Sequence, residues 1–288
     1  MATISVAHYT DPGCPFAFSS EPRLLKLQWR YGDQLDWTTH MIVLSETPEE
    51  YEKKGLTPEM LQGGARMLRD QWHMPIDDGL RERLHATAPA CKAFVAARQY
   101  APEKADLLLR QLRVLNMGGG LLDDPALIAQ AATLAGIDPV DLDAWVRDPD
   151  VTIELNADKA ASRTPHPAAL AQKARLSPSG DGWRYSAPSL VFADADGRTA
   201  AAPGFQPNET YEAVLSNLDH TLEQRDKPAD VTEVLEWAPY PLASIEVATL
   251  LDISLDAART ALSAVATETP VGQDGYWSLA NSPTGSFA

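Results

Sequence analysis

The chain has 288 residues, 44% of them hydrophobic, which is enough apolar material for one large domain or one domain with an appendage. It carries 40 acidic against 24 basic side chains, a formal net charge of −16. That surplus repels phosphate backbones and anionic lipid, so neither nucleic acid nor a membrane surface is an expected partner.

Residues 4–10 alternate in polarity and hold β-formers, which predicts a strand. Asp11-Pro12-Gly13 makes a turn, and Cys14 falls where a helix from Pro15 to Tyr31 begins. Phe18, Leu24, Leu25, Leu27 and Trp29 set the apolar face of that helix, and Gly32 ends it. Leu35 to Leu44 reads as a second strand, so the start is a βαβ unit with parallel strands.

From about residue 48 to 176 the pattern is helical throughout. Asp124 as N-cap, Pro125 at the first helical position and Gly136 as the stop mark one helix; Asp138-Pro139 starts the next. Met117-Gly118-Gly119-Gly120 reads as a turn, since no Lys-Ser/Thr follows to make a phosphate cradle. Strand character returns at Ser189 to Phe192, with a hairpin turn over Asp194 to Gly197 and a partner strand from Arg198 to Ala202. A helix from about Asn208 to Leu222 follows. Residues 223–230 form a polar linker.

Residues 231–288 suggest a small winged-helix-like module: helices over Val231–Trp237, Ser244–Leu251 and Leu255–Val265, and a hairpin around Gln273-Asp274-Gly275. Its presumed recognition helix offers only Arg259, and the module holds one basic against seven acidic residues. Phosphate neutralisation takes several cations, so DNA is not an expected ligand.

Two cysteines, Cys14 and Cys91, form neither a disulfide framework nor a zinc set, and no metal site is expected. The N-terminus lacks the basic and apolar regions of a secretory signal, and no apolar run reaches the roughly 20 residues of a spanning helix. The expected address is the cytoplasm, whose reducing conditions suit free thiols. Cys14 is the candidate nucleophile. A thiol at a helix N-terminus meets unsatisfied backbone N–H groups and the positive end of the helix dipole, which favour thiolate. Cys91 lies on an apolar helix face and reads as core, and His40 and His166 read as structural. Pro188, opening an inner strand, cannot donate a ladder hydrogen bond and asks for a special reason.

Asp11-Pro12-Gly13-Cys14-Pro15-Phe16-Ala17 resembles the Asp-Pro-x-Cys-Pro-Trp/Phe-Cys segment of the DsbA-like thioredoxin family. That family includes FrnE-type dithiol oxidoreductases, mycothiol-dependent relatives and 2-hydroxychromene-2-carboxylate isomerases. The resemblance runs on through Met74-Pro75-Ile76-Asp77, the helical block and Ala187-Pro188, over residues 3–222. It implies an α/β, thioredoxin-like domain over residues 1–222 with a large helical insertion at about 48–176; the small winged-helix-like appendage over 231–288 lies beyond it. It also implies a cis-proline at Pro188 facing the Cys14 sulfur. Pro15, Phe16, Ala17, Phe18, Ala187 and Pro188 are then the expected substrate-binding residues, with Phe16 and Phe18 lining an apolar groove.

The chain departs from the family pattern at three places. Ala17 replaces the resolving cysteine, Ala187 stands where relatives often carry Thr, Val or Ser, and Ser177 to Trp183 lengthens the approach to Pro188. The activity implied is thiol-disulfide exchange through one cysteine, with release by an external thiol such as glutathione or mycothiol and no tightly bound cofactor. The expected substrate is a small-molecule thiol or mixed disulfide. Two other readings stay open, a thiol-dependent isomerase or transferase on a small aromatic substrate and a redox-inactive binding or adaptor protein. A homodimer is also left open.

Overall fold

The computed structural model describes residues 3–279; residues 280–288 of the expected C-terminal module lie outside the described part. Strand β1 (Ile4–Thr10) pairs in parallel with β2 (Leu35–Met41) and antiparallel with β5 (Ser189–Ala193), which pairs with β6 (Thr199–Ala202). The sheet order is β2-β1-β5-β6, with Val6 opposite Trp37 on one side and Phe192 on the other. Alternation sends Ile4, Val6, Leu190 and Phe192 to one face, where they pack on Leu24, Leu27 and Tyr31 and on Tyr211 and Leu215.

The expected first helix is two helices. α1 (Pro15–Ser19) gives way at Ser20 to α2 (Glu21–Tyr31). Pro22 sits in the first turn of α2, and a proline there lacks the N–H that would continue the bonding of α1. The helical block holds α3 (Pro48–Lys53), α4 (Pro58–Trp72), α5 (Ala88–Tyr100), α6 (Pro102–Met117), α7 (Pro125–Leu134), α8 (Pro139–Val146), α9 (Pro149–Ser162) and α10 (Pro167–Leu170). It is not helical throughout, because residues 73–87 run without regular structure. The Asp124, Asp138 and Asp148 carboxylates accept from the backbone N–H two residues on, capping α7, α8 and α9 as expected of Asp before Pro. Asp158 of α9 anchors the block to the sheet, accepting from the Met41 N–H at 3.0 Å and from Arg98 at 2.9 Å.

Sequence patterning gave no strands between 176 and 185, yet β3 (Leu176–Ser179) and β4 (Gly182–Tyr185) form a hairpin through Gly180, at φ +55°. Helix α11 (Asn208–Leu218) ends four residues earlier than expected, with Asp219 in extended conformation.

Beyond it come α12 (Val231–Trp237), β7 (Leu242–Ala243), α13 (Ser244–Leu251), α14 (Leu255–Ser263), β8 (Ala266–Val271) and β9 (Asp274–Leu279), with sheet order β7-β9-β8. Leu25 and Trp29 of α2 enter the core of this C-terminal part alongside Val234, Leu242 and Val247. Arg110 of α6 donates to both Glu246 carboxylate oxygens, at 2.6 and 2.7 Å, with both side chains buried. Arg259 is held by Asp274 at 3.0 Å. Among the described residues no helix is long and apolar enough to cross a membrane.

Candidate functional site

Cys14 is the N-cap residue of α1, with Pro15 in the first turn. The turn before it is tightly built. Asp11 is buried, and its carboxylate accepts from the N–H groups of Gly13 at 2.7 Å and Leu44 at 2.8 Å and from the Thr87 hydroxyl at 2.8 Å. A Cβ at Gly13 would come within 2.6 Å of Thr87, so this close approach needs glycine. Burial raises the Asp11 carboxyl above the usual carboxylate range, against the lowering effect of those hydrogen bonds.

The Cys14 sulfur faces the loop that enters β5. Its S–H donates to the Ala187 carbonyl at 3.3 Å, and the Ala187–Pro188 peptide bond is cis. Cys14 stands at the helix start as expected, and the nearby Ala17 and Phe16 N–H groups act to lower its thiol pKa, although no side-chain cap hydrogen bond forms there. Burial outweighs them. Cys14 is 7% exposed, and desolvation, with Asp11 nearby, pushes its thiol up to about 11. Burial thus works against the thiolate expected from the helix start, and the protonated sulfur is placed to donate to Ala187.

A cleft of about 440 Å³ opens onto the sulfur. Phe16, 44% exposed, and Ala187 line it, whereas Ala17 and Pro188 are buried, Pro15 is half-buried, and none of these three is in its lining. Ala17 belongs to one buried cluster with Cys14, Ile42, Tyr185 and Ala187, so an apolar methyl stands at the resolving position. Phe18 does not line the groove. It is fully buried against Leu68, Met74 and Met117. Residues two apart on a helix point roughly 200° apart, so Phe16 and Phe18 cannot share one face.

Several lining residues carried no sequence signal: Leu44 after β2, Arg175, Leu176 and Arg184 around the hairpin, and Phe205. Tyr51 of α3 was also missed; burial and the nearby Asp11 and Cys14 groups raise its phenol. Cys91 is buried in the α5–α6 core, with its S–H donating to Asp11 at 3.5 Å. His40 pairs with Asp158 at 2.8 Å, and His166 caps α10 and meets Thr199 at 2.7 Å. Among the described residues, no group of three or more His, Cys, Asp or Glu side chains is placed to hold a metal.

No protein-family model matches the chain, and no curated protein matches it significantly. Solved structures do. A probable DsbA oxidoreductase from Streptomyces coelicolor aligns with TM-score 0.55 at 17% identity, over 79% of this chain and 94% of its own. The cytosolic disulfide reductase DsbM from Pseudomonas aeruginosa aligns with TM-score 0.53 at 16% identity, over 75% of this chain and all of its own, 100%. The same reductase with glutathione aligns with TM-score 0.50 at 18% identity, over 74% of this chain and 98% of its own. The fold is thus the thioredoxin-like fold of DsbA-type proteins, with a helical insertion.

Proposed function

We propose that the protein is a thiol-disulfide oxidoreductase working through Cys14 alone. The observation that carries this is the Cys14 sulfur held against the cis-Ala187–Pro188 loop at the floor of an open cleft. In the first step the Cys14 thiolate attacks one sulfur of a substrate disulfide R–S–S–R′. The Cys14–S–S–R′ bond forms, the old S–S bond breaks, and R–S⁻ leaves. With Ala17 in place of a resolving thiol, a second R′–S⁻ attacks the mixed disulfide, releasing R′–S–S–R′ and restoring Cys14. The net change consumes one disulfide and one thiol and yields one of each.

The proton on Cys14 must leave before attack, and the Phe16 and Ala17 N–H groups are placed to stabilise the charge that results. The high thiol pKa lowers the thiolate fraction but leaves a more nucleophilic sulfur. The structural neighbours support the exchange chemistry, and the glutathione-bound reductase supports a small thiol as co-substrate. This reaction suits a reducing compartment such as the cytoplasm, where Cys14 stays free.

Turnover of a glutathione mixed disulfide, followed by glutathione disulfide production, tests the proposal. Cys14→Ser is expected to abolish it and Cys91→Ser to leave most of it. The burial of Cys14, which disfavours its thiolate, favours a second reading, a redox-inactive binding protein. Turnover that survives Cys14→Ser, or no thiol-dependent turnover at any pH, would favour the alternatives.

A further inference from the structure

The cleft over Cys14 differs in charge from the rest of the molecule. The chain has 40 acidic residues, yet the cleft is lined by two arginines, Arg175 and Arg184, and no acid. Most other arginines have a carboxylate partner, as in Arg83–Asp123, Arg98–Asp158 and Arg198–Asp194. These two do not. Arg175 donates to the Phe205 carbonyl at 3.2 Å and Arg184 to the Tyr185 carbonyl at 2.8 Å.

Each contact uses one N–H of its guanidinium and leaves further donors available to a planar anion. Arg184 is also partly desolvated, and Arg163, likewise without a carboxylate partner within ion-pair distance among the described residues, adds positive charge beside it, which the buried Asp11 behind the cleft offsets in part. A cation removed from water gains from meeting an anion there. A molecule with a net charge of −16 otherwise repels anions, so this lining favours an anionic ligand against the overall field.

We infer that Arg175 and Arg184 read a carboxylate on the thiol substrate. The co-substrate class is then a carboxylate-bearing peptide thiol of the glutathione kind, in preference to an uncharged sugar thiol such as mycothiol. This rests on the thiol-exchange reading for its chemistry, but the recognition step can be observed without exchange.

Two measurements on the full chain separate the two. The first is the rate of mixed-disulfide formation at Cys14 with glutathione disulfide and with uncharged bis(2-hydroxyethyl) disulfide. Arg175→Gln/Arg184→Gln is expected to lower the preference for glutathione disulfide by about tenfold or more, the scale of one lost charge-assisted hydrogen bond. The second is calorimetric binding of S-methylglutathione, which cannot exchange, to Cys14→Ser with and without the arginine substitutions. Binding that weakens by a similar factor supports carboxylate recognition even if Cys14 proves unreactive. An unchanged preference, or S-methylglutathione binding that is absent or unaffected by the substitutions, overturns it. Circular dichroism of the double variant checks that the hairpin remains folded.

Discussion

The Cys14 sulfhydryl donates to the carbonyl of Ala187, 173 residues away in sequence, at 3.3 Å. That bond joins the start of α1 to the entry of β5, and it belongs to the protonated sulfur. Chemistry at this site therefore begins with a thiol that must ionise, and its pH dependence is the first expected consequence.

Cys14 alkylation by iodoacetamide is expected to be slow at pH 7 and to climb about tenfold per pH unit toward the thiol pKa of about 11. Since the folded state holds this proton more tightly than an unfolded chain, Cys14 stabilises the fold below the ordinary thiol pKa. That contribution fades as pH rises from about 9 toward 11. Peptide mapping of the alkylated residue against pH checks the claim. A plateau below pH 8 would contradict it.

Ala17→Cys places a second thiol one helical turn from Cys14, within the reach of a disulfide. Ala17 is buried, so the added sulfur must displace neighbours and is expected to destabilise the reduced protein by about 1–3 kcal/mol. Oxidation of the variant should form a bond between positions 14 and 17, seen as a mass loss of two hydrogens. Full retention of both free thiols under mild oxidant would show that the packing around Tyr185 and Ala187 forbids it.

Glu246→Ala leaves the Arg110 guanidinium buried beside α13 with much of its countercharge gone. Removing one member of a buried pair is expected to lower stability by about 3–5 kcal/mol. Replacing both partners, Arg110→Met with Glu246→Leu, should recover part of that loss, because no unpaired charge remains. Urea unfolding of the two variants and the parent protein decides this, and a loss under about 1 kcal/mol for Glu246→Ala would mean that water reaches the pair.

His8 is buried, and desolvation, with Arg113 and His40 nearby, depresses its imidazole to about 3. The unfolded chain takes up this proton near pH 6.5 and the folded chain does not, so stability falls as pH drops from about 6.5 toward 3. His8→Leu is expected to flatten the decline in urea midpoint between pH 7 and 5. A slope identical to that of the parent protein would show that other groups carry it.

The central sheet was legible because its strands obey period-2 alternation and are bounded by turn residues; β1 runs from Ile4 to Thr10 as its pattern requires. The break at Ser20 was hidden by a continuous apolar face across α1 and α2, and only Pro22 marked it. The hairpin of β3 and β4 was illegible for a different reason. Its strands are four residues long, one contains Pro178, and neither builds an apolar alternation. The candidate nucleophile was readable as a local motif, and the cis-proline from the family resemblance and its place before β5. Arg175 and Arg184 were not, since their place over Cys14 depends on how the hairpin folds back against the cleft.

The central claim is that Cys14 alone exchanges with small disulfides. Incubation with glutathione disulfide at pH 8, followed by intact mass and peptide mapping, tests it most directly. One glutathionyl group is expected on Cys14, none on the packed Cys91, and full reversal on adding glutathione. An unmodified protein, or an adduct confined to Cys91, would contradict the account.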